Sequence, residues 1–155
     1  YMFLQSGIPV LYSGDEIGQV NDYTYKEDPA RAADSRYLHR GKMNWKQAEN
    51  ISNPDTVEGR IFRSLSCLEQ IRKKEKVFVS EAETRTVETG DRSVLCIKRA
   101  LEGEEIIGLF NFSEEERHIS LEDTEGVYRE MLSGQETGLK HISLLPYGFY
   151  YLKKI

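Results

Sequence analysis

The sequence predicts an α+β fold in which a buried strand, a long polar loop and a helix precede a separate all-β module. Three observations lead to this order. An uninterrupted apolar run occupies residues 8–12, apolar residues recur at helical spacing over residues 57–71, and short strand-like segments separated by turn residues follow residue 76. The chain is therefore expected to divide into residues 1–76 and residues 77–155.

The first element is the apolar run at residues 8–12, which shows no polar alternation. A strand of this kind is typical of a parallel sheet that is covered on both faces. Residues 13–53 follow; they are rich in Gly, Asp, Asn, Tyr and Arg and have no sustained periodicity. Because a loop of that length inside a compact domain is usually functional, we expect the functional site here.

The second element is a helix, expected over residues 54–75. Asn53 supplies a cap, Pro54 suits the first turn, and the basic residues 72–74 favour the negative end of the helix dipole. The apolar residues at helical spacing are Val57, Ile61, Phe62, Leu65, Leu68 and Ile71. They define the face that we expect to be buried.

The remaining segments are short and have the period of strands. Those expected as strands are residues 93–99, 105–112, 117–121, 127–132, 141–145 and 149–153. Turn residues such as Gly90-Asp91 and Ser133-Gly134 separate them, which predicts an antiparallel sheet or sandwich. Residues 105–112 are apolar on both faces, so this strand should be central.

Charge and composition argue against several classes of partner. The net charge of -5 comes from interleaved acids and bases without a basic stripe, so nucleic acid is not expected. The apolar runs fall far short of the roughly 20 residues that a membrane span needs, so no membrane is expected. Cys67 and Cys96 predict buried thiols rather than a disulfide framework, which favours a cytoplasmic location.

Polar residues cluster directly after the apolar run, where the carboxyl ends of parallel strands place functional groups. The candidate binding residues are Asp15, Glu16, Asn21, Asp22, Tyr23 and Arg36. Adjacent carboxylates such as Asp15 and Glu16 seldom face one reacting atom, so bonding to nearby backbone and arginine is the favoured interpretation. Arg36 could pair with a carboxylate, donate to ligand hydroxyls, or form a structural ion pair. His39 has no second His or Cys at metal-ligand spacing, and neither a metal nor a cofactor is expected.

Several motifs resemble those of one enzyme family. The string GIPVLYSGDEIG at residues 7–18 resembles the eighth barrel strand and following turn of the alpha-amylase family, glycoside hydrolase family thirteen. Residues 21–25, 28–30 and 33–40 (NDYTY, DPA and ADSRYLHR) are similar to segments of amylosucrase, and GLFNFS at residues 108–113 resembles a strand of the family's C-terminal β domain. The resemblance covers nearly the whole chain.

The resemblance implies a (β/α)8 TIM barrel followed by an antiparallel β domain. Residues 1–76 would be the last βα unit of that barrel, and residues 77–155 a β-sandwich. The resemblance also implies retaining chemistry on sucrose or an alpha-glucan, with one carboxylate as nucleophile and another as acid and base. Those carboxylates belong to earlier barrel strands, so no catalytic residue is expected in this chain.

The resemblance also gives roles to individual residues. Arg36 matches the family's pocket-closing arginine, which in amylosucrase pairs with an upstream aspartate. Asp15 and Glu16 match a motif with a supporting hydrogen-bond role. Ser13 and residues 26–28 depart from the amylosucrase pattern, which leaves amylosucrase, sucrose hydrolase and alpha-glucosidase open.

Two hypotheses follow from the sequence. The first is the C-terminal segment of a glucosyl-transferring or hydrolysing enzyme, inactive in isolation. The alternative is a stand-alone β-sandwich module that binds carbohydrate or a protein partner. In either case an isolated chain should expose the apolar residues 8–11 and the face of Leu65 and Leu68, which predicts self-association.

Overall fold

The computed structural model describes residues 1–121 and 126–155. These residues form two compact units. The β unit comprises Tyr1–Pro9 and Leu68–Ile155, and the loop unit comprises Val10–Cys67. The expected division after residue 76 into barrel and β domain stays a prediction.

The loop unit is built from short helical turns. Three 3-10 helices span Asp15–Ile17, Tyr23–Glu27 and Ser35–His39; α1 spans Trp45–Ala48, and a further 3-10 turn spans Glu49–Ser52. Helix α2 spans Val57–Lys74, so its last residues belong to the β unit.

The strand predicted at residues 8–12 is not formed, and that prediction is wrong for this structure. These residues pair with no strand among the described residues. Ile8 is 90% exposed and Val10 is 76% exposed. A parallel strand takes its hydrogen bonds from neighbouring strands, and the described residues provide none here. The last βα unit of a barrel is therefore not shown.

Helix α2 confirms the predicted helix but begins three residues later than expected. Thr56 caps it, since the Gly59 amide donates to Thr56 Oγ1 at 3.1 Å. Asn53 instead accepts from the Asp55 amide at 3.0 Å, which places Pro54 in the preceding turn. A Cβ on Gly59 would lie 1.9 Å from the Asn53 carbonyl oxygen, so only glycine fits this approach.

The described residues of the β unit contain eight short strands. They are β1 Glu83–Val87, β2 Val94–Leu101, β3 Glu104–Asn111, β4 Arg117–Ile119, β5 Tyr128–Glu130, β6 Glu136–Thr137, β7 Ile142–Leu144 and β8 Phe149–Lys154. Six of them form a sheet in the order β1-β2-β3-β8-β5-β6, and β4 pairs with β7 in a second sheet. All pairs are antiparallel, which confirms the predicted antiparallel module.

Strand β3 lies between β2 and β8 and is covered on both faces, as its sequence predicts. On one face Ile107 and Leu109 join a core that includes residues of both sheets, among them Ile119 of β4 and Leu144 of β7. On the other face a Cβ at Gly108 would lie 2.3 Å from Leu4 Cδ2, so Leu4 packs directly on the glycine. The N-terminal segment therefore covers the outer face of the sheet.

A buried arginine anchors that segment. Arg99 of β2 is 0% exposed. Its guanidinium donates to the Val77 carbonyl at 2.6 Å, the Val79 carbonyl at 3.0 Å, the Leu4 carbonyl at 3.3 Å and Ser6 Oγ at 3.2 Å. Burial lowers the pKa of Arg99, and the nearby charge of Arg72 adds to this effect.

Arg72 of α2 holds the same segment from another side. Its Nη1 donates to the carbonyls of Phe3 at 2.6 Å and Gln5 at 3.0 Å, and its Nη2 donates to the Gly7 carbonyl. Residues 3–7 are thus fixed in the β unit through their backbone carbonyls. Every residue has such a carbonyl, so this anchoring does not depend on which side chains the segment carries.

Candidate functional site

The predicted site residues lie in the loop unit, between residues 15 and 36. A small cleft of about 50 Å³ opens between residues 12–21 and residues 39–41. Asp15 and Asn21 line it together with His39, while Glu16, Asp22, Tyr23 and Arg36 lie outside its lining. The structure therefore brings together only part of the predicted set.

Asp15 and Glu16 stabilise the turn that contains them. Asp15 Oδ2 accepts from the Tyr12 amide at 3.2 Å, and Glu16 Oε2 accepts from the Gly14 amide at 2.8 Å. Gly14 has φ 103° and Gly18 has φ 66°, both in the left-handed region that favours glycine. The two carboxylates make the backbone bonds that the sequence favoured, but among the described residues neither forms the expected pair with an arginine.

Asn21 and Asp22 connect two parts of the loop that are distant in sequence. Asn21 Oδ1 and His39 Nδ1 are hydrogen-bonded at 3.0 Å, and the Asp22 amide donates to the Leu38 carbonyl at 2.8 Å. The first contact joins residues 18 positions apart in sequence and the second joins residues 16 positions apart. They give the loop a defined shape without a sheet or long helix.

Gln19 also connects distant parts of the loop, and its role was not predicted from the sequence. Its Oε1 accepts from the Asn44 amide at 3.2 Å, and its Nε2 donates to the Lys42 carbonyl at 3.3 Å. A glutamine between Gly18 and Val20 carries no periodic or motif signal, so nothing in the sequence marked it.

Asp22 also caps the 3-10 helix Tyr23–Glu27. It accepts from the Thr24 amide at 2.9 Å and from Thr24 Oγ1 at 2.6 Å. These hydrogen bonds lower the pKa of Asp22, with the hydroxyl contribution the larger. The adjacent Tyr23 ring is 64% exposed and is free to contact a ligand.

Arg36 forms a tight ion pair with Asp34. Its Nε donates to Asp34 Oδ1 at 2.8 Å, and its Nη2 donates to Asp34 Oδ2 at 2.7 Å. The Arg36 side chain is 71% exposed and that of Asp34 is 29% exposed. The Arg36 side-chain and backbone hydrogen bonds lower the pKa of Asp34 to about 2.

Two further arginines surround the ring of Tyr37 in this segment. The guanidinium carbon of Arg31 lies 5.4 Å from the ring centre, and that of Arg40 lies 5.9 Å from it. Arg31 also pairs with Asp28 at 3.1 Å. In residues 28–40, Asp28 and Asp34 therefore each pair with an arginine, and Asp34 orients Arg36.

The described residues hold no group of three or more His, Cys, Asp or Glu side chains that could bind a metal ion. Over the same residues, no helix has both the length and the apolar composition needed to cross a bilayer. Cys67 and Cys96 are both free thiols.

Comparison with known proteins identifies the β unit most directly. Residues 84–151 match the model of the family "Maltogenic Amylase, C-terminal domain". These residues run from β1 into β8, so the match covers most of the antiparallel module.

Solved structures extend the similarity over nearly the whole chain. A maltogenic amylase from S. marinus is 24% identical over 98% of this chain and 18% of its own, with a TM-score of 0.63. The trehalulose synthase MutB, in complex with Tris, is 18% identical over 98% of this chain and 36% of its own, with a TM-score of 0.69. AmyP in complex with maltotriose is 16% identical over 99% of this chain and 33% of its own, with a TM-score of 0.74.

These similarities define the class of fold first: an antiparallel β domain like those of alpha-amylase-family enzymes, with the loop unit preceding it. Together with the family match over residues 84–151, they show that the β unit has the fold of a maltogenic-amylase-like C-terminal domain. The chain spans 18% to 36% of the length of the three solved proteins. None of the three is an amylosucrase, so the finer assignment stays a prediction.

Proposed function

We propose that this chain belongs to a retaining alpha-amylase-family enzyme that cleaves or transfers glucosyl units of sucrose or an alpha-glucan, as amylosucrase does. In this proposal the loop unit supplies the last active-site loop. The nucleophile and the acid/base carboxylate belong to parts of the whole protein outside these 155 residues.

The observation that carries the proposal is the geometry of Arg36. Asp34 holds its Nε and Nη2, and within the described residues its Nη1 has no hydrogen-bond partner. A guanidinium fixed on one edge and 71% exposed is preorganised to donate to a carboxylate or to sugar hydroxyls. This geometry supports the proposed role of Arg36 in closing a glucosyl pocket.

The other candidate residues have supporting roles in this proposal. Asp15 and Glu16 fix the turn, and the hydrogen bond between Asn21 and His39 holds these two parts of the loop together. The exposed ring of Tyr23 provides an apolar face for a sugar ring. Catalysis would benefit from such rigidity because the reacting groups need a defined position.

The proposal is tested with the complete protein encoded by the gene from which this chain derives. Incubation with sucrose and, separately, with maltotriose should release glucose, fructose or a longer glucan, detected by chromatography. The 155-residue chain alone is the matched control and should consume neither sugar. Turnover by the isolated chain, or no turnover of either sugar by the folded complete protein, would overturn the proposal.

A further inference from the structure

A cleft in the β unit is not used by the proposed function. It has a volume of about 240 Å³ and opens beside the β5-β6 hairpin, β7 and the middle of β8. Its polar lining includes Gln135, Glu136, Thr137, His141, Ser143 and Tyr150. The volume lies just below the roughly 300–1,000 Å³ range of small-molecule pockets, so it suits a ligand of the size of a sugar ring.

The floor of the cleft is apolar. Tyr150 pairs with Leu109 across the β3-β8 ladder and packs against the core while remaining partly exposed. Ile142 and Leu152 are buried beside it. The cleft therefore combines an aromatic ring and aliphatic groups at its base with polar groups around them, as carbohydrate sites do.

The carboxylates of the cleft are already engaged. Glu130 accepts from the Leu132 amide at 3.1 Å and from the Ser133 amide at 2.6 Å. Glu136 pairs with Arg129 at 3.1 Å on the neighbouring strand. No lysine or arginine lines the cleft among the described residues, which disfavours phosphate or another anion.

Three polar side chains remain available to a ligand. Within the part of the chain that the structure describes, the side chains of Gln135, His141 and Tyr150 make no hydrogen bond. An amide, an imidazole and a phenol can each donate or accept, which matches a neutral polyol whose hydroxyls do both.

We infer that this cleft binds a neutral oligosaccharide, with one sugar ring against Tyr150 and its hydroxyls bonded to His141 and Gln135. The choice of an alpha-glucan as ligand rests on the proposed function; the recognition of a neutral sugar rests on the cleft itself. Because the cleft is shallow and accommodates little more than one ring, binding is expected in the millimolar range, about -4 kcal/mol.

The test is a titration of the 155-residue chain with maltotriose, followed by the amide signals in ¹⁵N NMR spectra. Saturable shifts are expected for residues 130–137, 141–143 and 149–152. His141→Ala should weaken binding at least about fivefold. Thr86→Ala, at an exposed position of β1 on the opposite edge of the sheet from β6, should leave affinity unchanged.

Three outcomes would overturn the inference: no saturable shift, shifts confined to residues 12–41, or equal affinity in the His141→Ala variant. Equal binding of cellobiose would overturn the alpha-glucan assignment. Failure here is separate from failure of the proposed function, because turnover by the complete protein is measured independently. If the chain binds maltotriose but the complete protein turns over neither sugar, the sugar-binding role of the cleft stands and the proposed enzymatic function fails.

Discussion

The guanidinium carbon of Arg99 lies 5.6 Å from the ring centre of Phe78, inside the β unit. Arg72 approaches the same ring at 5.3 Å, so the aromatic ring contacts two arginines. Within the described residues, neither arginine forms a salt bridge with a carboxylate. Backbone carbonyls and the Phe78 ring therefore stabilise both positive charges. Because several of those carbonyls belong to residues 3–7, the two arginines hold the N-terminal segment in the β unit.

Arg99→Ala should lower the free energy of unfolding by about 3 kcal/mol, because it leaves several buried carbonyls without a donor. Urea unfolding followed by circular dichroism measures this change. Arg85→Ala is the matched control: Arg85 is exposed on β1 and its nearest carboxylate, Glu83, is 3.9 Å away, so the effect should stay below about 0.5 kcal/mol. A loss below about 1 kcal/mol for Arg99→Ala would contradict the anchoring role.

Gly108→Ala should destabilise the β unit by about 1–3 kcal/mol through overpacking. The new methyl group would lie 2.3 Å from Leu4 Cδ2 and 2.9 Å from Phe110 Cε2. Adding Leu4→Ala should recover part of the loss, and the double-mutant cycle measures that coupling. Gly138→Ala is the control, since no atom lies within 4 Å of its added methyl group. Strictly additive losses would mean that Leu4 does not pack on Gly108.

Sequence patterns were sufficient to predict the central strands of the β unit. Alternating and two-faced apolar segments predicted β2, β3 and β8 and the central place of β3, because burial in a sheet imposes that pattern directly. Strand β1 was missed because Glu83–Val87 is polar and largely exposed at the sheet edge. Strand β6 was missed because two residues are too few to show a period.

The errors have a similar physical origin. Residues 8–12 are apolar, but hydropathy alone cannot supply the neighbouring strands that would pair with them. For Arg36 the sequence left the carboxylate partner open, and Asp34 bonds it from two residues away. That contact depends on the local turn, in which the Asp34 side chain also accepts from the Arg36 amide at 3.0 Å. A local turn of this kind leaves no periodic pattern in the sequence, so its side-chain contacts could not be predicted.

The two thiols should react at different rates. Burial raises the pKa of Cys96 to about 12, so the thiolate is scarce at neutral pH, while Cys67 is partly exposed. A chromogenic disulfide reagent at pH 8 should therefore modify Cys67 first, and Cys96 only after denaturation. Cys67→Ser should abolish the rapid phase. Rapid modification of both thiols in the folded chain would contradict the buried environment of Cys96.

The Asp34–Arg36 pair should persist to very low pH. Because the pKa of Asp34 is lowered to about 2, its contribution to loop stability is present above the unfolded pKa of roughly 3.9 and is lost as the pH falls through about 2. NMR titration of the Asp34 carboxyl carbon should give a midpoint near 2. A midpoint near 4 would mean that the pair does not form in solution.

The most direct test of the proposed role of Arg36 is steady-state kinetics of the complete protein with Arg36→Ala. The account predicts about a 100-fold loss of kcat/KM for the glucosyl donor, equivalent to about 2.7 kcal/mol. Arg63→Ala, an exposed arginine of α2, should retain wild-type kinetics. If Arg36→Ala folds and turns over its donor as fast as the Arg63→Ala control, Arg36 does not close a glucosyl pocket and the assignment of the loop fails.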